Sequence, residues 1–117
     1  MQFRRMGRTG LKVSEICLGT MTFANQADKR TSYEIMDAAV EGGVNFFDTA
    51  DVYPLGGDPT DNGKTEEIIG DWLTDRNARE DIVLATKCRG RMGERPNDEG
   101  LSRKHIIAAC EQSLRRL

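Results

Sequence analysis

Three short apolar segments, each followed by a long stretch with a helical pattern, constrain the fold of this chain more than any other feature. They lie near residues 14, 44 and 82. The crossovers between them span about 25 to 35 residues, a length typical of parallel strands joined through a helix. Such crossovers are right-handed in nearly all known sheets. The sequence therefore predicts an α/β fold built from βαβ units.

The strands of this fold can be placed from the turn residues that bound them. The chain opens with an extended segment that turns at residues 7–10, which predicts a β-hairpin leading into a first strand at residues 13–18. A short apolar run at residues 44–47 predicts the second strand. Residues 81–87 form a nearly continuous apolar run, which is typical of a strand buried on both faces of a parallel sheet.

The first two helices have recognisable ends. Thr31 to Glu34 match a capping box, which predicts a helix beginning there and ending at Gly42 and Gly43. The second helix is predicted at residues 64–73, with two glutamates in its first turn, where negative charge suits the helix dipole.

The third helix is predicted from an N-terminal cap at Ser102. Apolar residues then recur at helical spacing and predict an apolar stripe along one face. Its members are Ile106, Ile107, Cys110, Leu114 and Leu117.

Loop lengths separate the two architectures that use βαβ units, an open doubly wound sheet and a closed (β/α)₈ (TIM) barrel. The loops after the strands, at residues 20–30, 49–63 and 88–101, are long and polar, whereas those after the helices are shorter. Long βα loops are typical of a barrel with its active site on one face. The first βα turn also lacks the GxGxxG pattern of a dinucleotide-binding open sheet. The barrel is favoured.

Composition limits the classes of partner. The 117 residues carry 17 Lys plus Arg against 19 Asp plus Glu, so no electrostatic feature favours nucleic acid. Three widely spaced cysteines without a CxxC indicate neither a disulfide framework nor a zinc site. No segment has the pattern of a signal peptide or a membrane span. A cytoplasmic protein without a membrane partner is expected.

Three polar residues follow the predicted strands in a chemically suggestive way. Asp48 ends the second strand, Tyr53 lies five residues further on, and Lys87 ends the third strand, so all three are expected on one rim. A tyrosine has an ordinary pKa of about 10, so it donates a proton at neutral pH only beside a cation. Lys87 is expected to supply that charge and Asp48 to orient it. Taken singly, Lys87 could simply extend to solvent and Tyr53 pack on its loop; their joint placement favours a site.

With these residues placed, the chain resembles the aldo-keto reductases over essentially its whole length. The matching segments are MGRTGLKVSEICLGTMTF, GGVNFFDTADVY, GKTEEIIGDWL, IVLATK and LSRKHIIAACEQSLRRL. The resemblance implies a (β/α)₈ barrel whose bottom is closed by an N-terminal hairpin. It also implies reduction of aldehyde or ketone carbonyls by NADPH, with Asp48, Tyr53 and Lys87 catalytic and Tyr53 the general acid.

The resemblance extends to the cofactor and to one further carboxylate. Gly19, Thr20 and Met21 match the end of the family's first strand, which lies beside the nicotinamide ribose, and Asp48 is predicted to border the NADP(H) site with them. Asp51 matches a common position that is not catalytic, and a loop carboxylate capping a turn is expected there.

The departures from the family are equally informative. The family's fourth catalytic residue is a histidine ending the fourth strand, which this sequence does not reach. His105, the only histidine, lies in the third helix, where a solvated helix-face side chain is expected. Residues 1–117 are therefore predicted to be the N-terminal part of one barrel domain, comprising the hairpin and about three βα units.

Such a piece would leave strand faces and sheet edges uncovered. The remainder of a barrel or self-association is therefore expected to cover them, and the isolated chain is expected to be inactive. Two alternatives stay open: a non-catalytic regulatory subunit, like the aldo-keto reductase-like proteins that attach to potassium channels, or a truncated remnant without activity.

Overall fold

The computed structural model describes all 117 residues, which form two sheets and three helices. An antiparallel hairpin pairs β1 (Phe3–Arg5) with β2 (Lys12–Ser14). A parallel sheet contains, in chain order, β3 (Leu18–Gly19), β4 (Phe46–Asp48) and β5 (Val83–Ala85). The helices are α1 (Lys29–Glu41), α2 (Lys64–Asp75) and α3 (Arg103–Arg116), with a 3₁₀ turn at Pro59–Asp61 before α2.

The predicted βα organisation is confirmed. Each parallel strand is followed by one helix, and neighbouring strands in the sequence are neighbours in the sheet. The sheet does not close, so β3 and β5 each present an unpaired edge. None of the three helices is both long enough and apolar enough to cross a membrane.

The predicted strand at residues 13–18 is wrong as a single element. The hairpin strand β2 ends at Ser14, and the sheet strand β3 begins only at Leu18. Between them the Ser14 hydroxyl donates to the Ile16 carbonyl at 2.6 Å, and the Ser14 amide donates to Asn45 Oδ1 at 2.7 Å. These bonds interrupt the extended chain, and the hairpin remains a two-stranded sheet separate from the parallel one.

The start of α1 also differs from the prediction. Asp28 is the N-cap, because its Oδ1 accepts from the Thr31 amide at 2.8 Å. Glu34 pairs with Arg30 one turn earlier, at 3.0 Å, so the expected capping box does not form. Aspartate is at least as good an N-cap as threonine, which explains the earlier start. The predicted Ser102 cap of α3 is confirmed: its hydroxyl accepts from the His105 amide at 3.1 Å.

The core lies between the helices and one face of the sheet. Phe47 in β4 packs on Trp72 in α2 with ring centroids 5.7 Å apart, and Met36 and Ile69 are fully buried beside them. The indole N–H of Trp72 donates to Asp37 Oδ1 at 2.8 Å, which satisfies the one polar group of this buried ring.

The opposite face of the sheet, here called the inner face, is open. Phe46 and Asp48 alternate with the buried Phe47 and are only half-buried. The β5 residues are half-buried as well, and only Ile82 before them is buried, so the predicted burial of this strand on both faces is wrong for this chain. Its sequence suits a covered sheet, but the inner-face side chains of β4 and β5 keep part of their surface exposed.

Candidate active site

The site is built where the carboxyl ends of β4 and β5 meet at the inner face. Asp48 is the last residue of β4 and pairs in register with Ala85 of β5, two residues before Lys87. The Lys87 ammonium donates to Asp48 Oδ2 at 2.6 Å and to the Thr49 carbonyl at 2.7 Å. Two acceptors from one strand end therefore fix a cation that comes from the next strand.

Tyr53 reaches the same place from the loop between β4 and α2. Its ring centroid lies 5.0 Å from Lys87 Nζ. The loop is held at both ends, because the Tyr53 amide donates to the Ala50 carbonyl and the Tyr53 carbonyl accepts from the Gly63 amide, each at 3.2 Å. The structure thus brings together the three side chains that the sequence selected.

The electrostatics of this group favour a charged lysine. Partial burial acts to lower the pKa of Lys87, but the hydrogen bond to Asp48 and the interaction with Tyr53 outweigh it, so the pKa is raised above its ordinary value. The side chains of Lys87 and Asp48 remain 47% and 40% exposed, and pairs this accessible add little stability. The contribution of this ion pair is therefore to hold the Lys87 ammonium beside the Tyr53 phenol, more than to stabilise the fold.

The three residues predicted to border a cofactor lie at the end of β3, next to Asp48. Gly19 pairs with Asp48 in the sheet, and no atom lies within 4 Å of the position that a Cβ would take there. Met21 is exposed. Thr20 is fully buried, and its amide and hydroxyl both donate to the Asp48 carbonyl, at 3.1 and 2.9 Å. Gly19 and Met21 thus border open surface, while the two hydrogen bonds of Thr20 hold the Asp48 carbonyl.

A cavity of about 310 Å³ adjoins Tyr53 and Lys87. It is lined by residues from the loops after β4 and β5: Ala50, Asp51, Val52, Tyr53, Leu55, Lys87, Arg89 and Gly90. The phenol and the ammonium therefore face a space large enough for a small carbonyl compound.

Asp51 is not the turn-capping loop carboxylate that the sequence predicted. It is only 1% exposed, and neither carboxylate oxygen has a hydrogen-bond partner. Burial, and then the nearby charge of Glu66, raises its pKa to about 6. The groups around it, which include Glu66, His105 and Arg116, come from elements distant in sequence, so the loop pattern around Asp51 carried no signal of them.

His105 is likewise not the solvated side chain that was expected. It is buried, and its Nε2 lies 2.8 Å from the Cys88 carbonyl. With Asp51 and Arg116 it lines a second cavity, of about 310 Å³, and Asp51 also borders the cavity beside Tyr53 and Lys87. The His105 ring therefore faces the β5–α3 loop, which contains Cys88.

Glu66 is the buried group that the sequence-based interpretation missed. It is fully buried, its Oε1 accepts from the Thr86 hydroxyl at 2.6 Å, and its Oε2 accepts from Arg116 Nε at 2.6 Å. Its first-turn position suggested only a favourable interaction with the helix dipole. The available signal was its spacing, since Glu66 shares a helix face with the apolar Ile69 and Leu73.

Comparison with known proteins gives consistent matches. A sequence model described as the Aldo/keto reductase family matches residues 15–117. A Bacillus subtilis protein named as an uncharacterized oxidoreductase is 44% identical, over 100% of this chain and 36% of its own length. An Oryza sativa protein named as a probable voltage-gated potassium channel subunit beta is 43% identical, over 100% of this chain and 34% of its own length.

Solved structures match the same family. The holo form of an aldo-keto reductase from Bacillus halodurans superposes with a TM-score of 0.78 and 36% identity, covering 100% of this chain and 36% of that one. The chain thus spans about a third of the length of the relatives it matches.

Proposed function

The chain belongs to the aldo/keto reductase family, and we propose that it contributes the proton-donating part of an NADP(H)-dependent oxidoreductase that reduces aldehyde or ketone carbonyls. The observation that carries this proposal is the Lys87 ammonium, bonded to Asp48 and lying 5.0 Å from the Tyr53 ring centroid. A non-catalytic surface has no evident need for this convergence.

In the proposed mechanism Tyr53 is the general acid. A substrate carbonyl in the adjoining cavity accepts a hydrogen bond from the Tyr53 hydroxyl and then its proton as negative charge develops on the oxygen. Lys87 stabilises the phenolate that Tyr53 becomes, and Asp48 keeps the ammonium charged and directed inward. Reduced NADP, when bound, supplies the hydride to the carbonyl carbon.

The proposed cofactor contacts are Gly19, Thr20, Met21 and Asp48. The open surface at Gly19 and Met21 lies directly beside Asp48, which supports a nicotinamide bound there. Thr20 is buried, so its proposed contribution is to fix the Asp48 backbone through its two hydrogen bonds.

The open inner face leads to a proposal about partners. We propose that residues 1–117 act as the N-terminal part of one barrel domain, and that further βα units, or a second copy of the chain, cover the inner face and the β5 edge. Relatives whose chains are about three times as long support this. The unpaired cysteines support a cytoplasmic location.

A chimera tests the proposed function. The 117 residues are fused to the complementary two thirds of the Bacillus subtilis relative, and NADPH oxidation is measured with small aldehydes. Tyr53→Phe is expected to lower turnover by about 10²–10⁴-fold, the usual contribution of a general acid. Tyr33→Phe is the matched control, because Tyr33 bonds Asp75 on the outer helices. Equal turnover in the parent and in Tyr53→Phe would contradict the proposal.

A second candidate is a regulatory subunit that binds the cofactor without productive reduction. The 43% identity to a protein named as a channel subunit favours it. The same chimera separates the two, since a purely regulatory protein would bind NADPH but show no turnover that depends on Tyr53.

A further inference from the structure

Lys87 is held from the inner face, but the strand end that carries it is also held from the outside. Thr86 comes directly before Lys87, and successive side chains along an extended chain point to opposite faces. The Thr86 hydroxyl donates to Glu66 Oε1 of α2 at 2.6 Å, while Lys87 Nζ donates to Asp48 Oδ2 on the inner face, also at 2.6 Å. The two bonds hold adjacent residues from opposite sides.

Glu66 is itself fixed in place. Its second oxygen accepts from Arg116, which is only 18% exposed, so the carboxylate has a partner at each oxygen and cannot turn to water. Close packing of α2 and α3 makes this possible. A Cβ at Gly70 would lie 1.8 Å from the Arg116 carbonyl oxygen, so only glycine lets the end of α3 approach α2 this closely.

The backbone past β5 is tied as well. The Asp51 amide donates to the Lys87 carbonyl at 3.0 Å, and the Thr49 amide donates to the Ala85 carbonyl at 2.9 Å. These bonds continue the pairing with the β4 strand beyond its last residue. They fix the distance between the segments that follow β4 and β5. The Glu66 bond to Thr86 fixes the rotation of the β5 end about its own axis.

We propose that Glu66 is a positioning residue for Lys87, acting through the Thr86 hydroxyl so that the ammonium reaches both Asp48 and the Thr49 carbonyl. The importance of Lys87 rests on the proposed function, but the geometric link does not. A buried ion pair is weak evidence for a stabilising role, since apolar residues of similar volume often serve as well. A carboxylate is needed here because it accepts from Thr86 and Arg116 at once, whereas a glutamine offers only one acceptor.

The test reads the Lys87 amine itself, by NMR of the lysine side-chain nitrogens in the 117-residue chain across a pH titration. Thr86→Val removes the hydroxyl at an exposed strand-end position that tolerates a β-branched residue. It is expected to lower the Lys87 pKa toward the ordinary lysine value, because the hydrogen bond to Asp48 weakens while partial burial remains. Thr86→Ser keeps the hydroxyl and is expected to restore the parent value.

Matched controls isolate the effect. Thr74→Val makes the same change at an exposed position of α2, and Glu67→Gln removes an exposed glutamate next to Glu66; neither is expected to move the Lys87 pKa. Glu66→Gln is expected to act in the same direction as Thr86→Val. An unchanged Lys87 pKa in folded Thr86→Val would overturn the proposal, and so would equal shifts in Thr86→Val and Thr86→Ser.

This measurement does not depend on turnover. If Tyr53→Phe leaves the chimera fully active, the proposed function fails while the link from Glu66 to Lys87 can still hold. If the Lys87 pKa is the same in Thr86→Val and in the parent, the link fails while the proposed function can still hold.

Discussion

Helices α2 and α3 are similar in sequence pattern but differ in how much of that pattern they bury. Both carry an apolar stripe at helical spacing, and α2 buries seven of its 12 residues. In α3 only three of 14 residues are buried, and none of them belongs to the predicted stripe; they are His105, Ala109 and Ser113. In α2 the large apolar residues Ile69 and Trp72 are fully buried, whereas Leu114 of α3 is 69% exposed. Helix α2 contacts both α1 and α3, whereas among the helices α3 packs mainly against α2. Apolar periodicity locates a helix, but the neighbouring elements decide which of its faces is buried.

The largest loss of stability is expected for a substitution in the well-packed helix α2. Trp72→Ala removes the ring that packs on Phe47 and leaves Asp37 without its indole donor. A loss of about 3–5 kcal/mol in the free energy of unfolding is expected, measured by urea denaturation. A loss below about 1 kcal/mol would mean that α2 is no better packed than α3.

The second largest loss of stability is expected for the ion pair that joins α2 to α3. Arg116→Ala leaves the fully buried Glu66 without its cation, and a loss of about 3 kcal/mol is expected. Arg115→Ala removes a neighbouring exposed charge of the same helix and is expected to change stability by less than about 0.5 kcal/mol. Equal losses in both variants would show that the ion pair does not join the helices.

Asp51 lies close to the ion pair between α2 and α3, and it is expected to make the stability of the chain depend on pH. Its pKa of about 6 in the folded chain exceeds that of an ordinary aspartate, so the folded state binds the proton more tightly. Its contribution to stability is therefore fully present below about pH 4 and is lost as pH rises through about 6. Asp51→Asn removes this loss, so its stability relative to the parent is expected to improve by on the order of 2 kcal/mol between pH 4 and pH 7.5.

Denaturation curves at the two pH values check this prediction. Asp81→Asn, at an exposed aspartate, is the control and is expected to show no such change. If the difference between Asp51→Asn and the parent is the same at both pH values, the burial of Asp51 does not penalise its charge.

These helices also show what the sequence can predict. Periodicity located α2 and α3, the spacing of the apolar segments predicted the βαβ units, and strand-end positions selected Asp48 and Lys87, because those features depend on local spacing. Glu66, Asp51 and His105 could not be placed in this way. Their burial arises where α2, α3 and two loops meet, and no local pattern encodes contacts between segments up to 50 residues apart, such as that of Glu66 with Arg116.

The smallest change in stability is expected for a substitution in the exposed apolar stripe of α3. Leu114→Ala removes little buried surface, so a change below about 0.5 kcal/mol is expected in the dilute monomer. If a second copy covers this face, stability will rise with protein concentration, and Leu114→Ala will reduce that rise. Denaturation at two concentrations about 100-fold apart distinguishes the cases through mass action. A large loss in the dilute monomer would show that the stripe is already covered.

In the proposed function, Asp48, Tyr53 and Lys87 form one part of a carbonyl-reducing site whose inner face must be covered before it can work. The decisive measurement is NADPH oxidation by the pure, monomeric 117-residue chain with a small aldehyde. We expect no rate above that of buffer, because substrate and cofactor would meet an open, water-filled face. Turnover by this monomer that Tyr53→Phe abolishes would contradict the account.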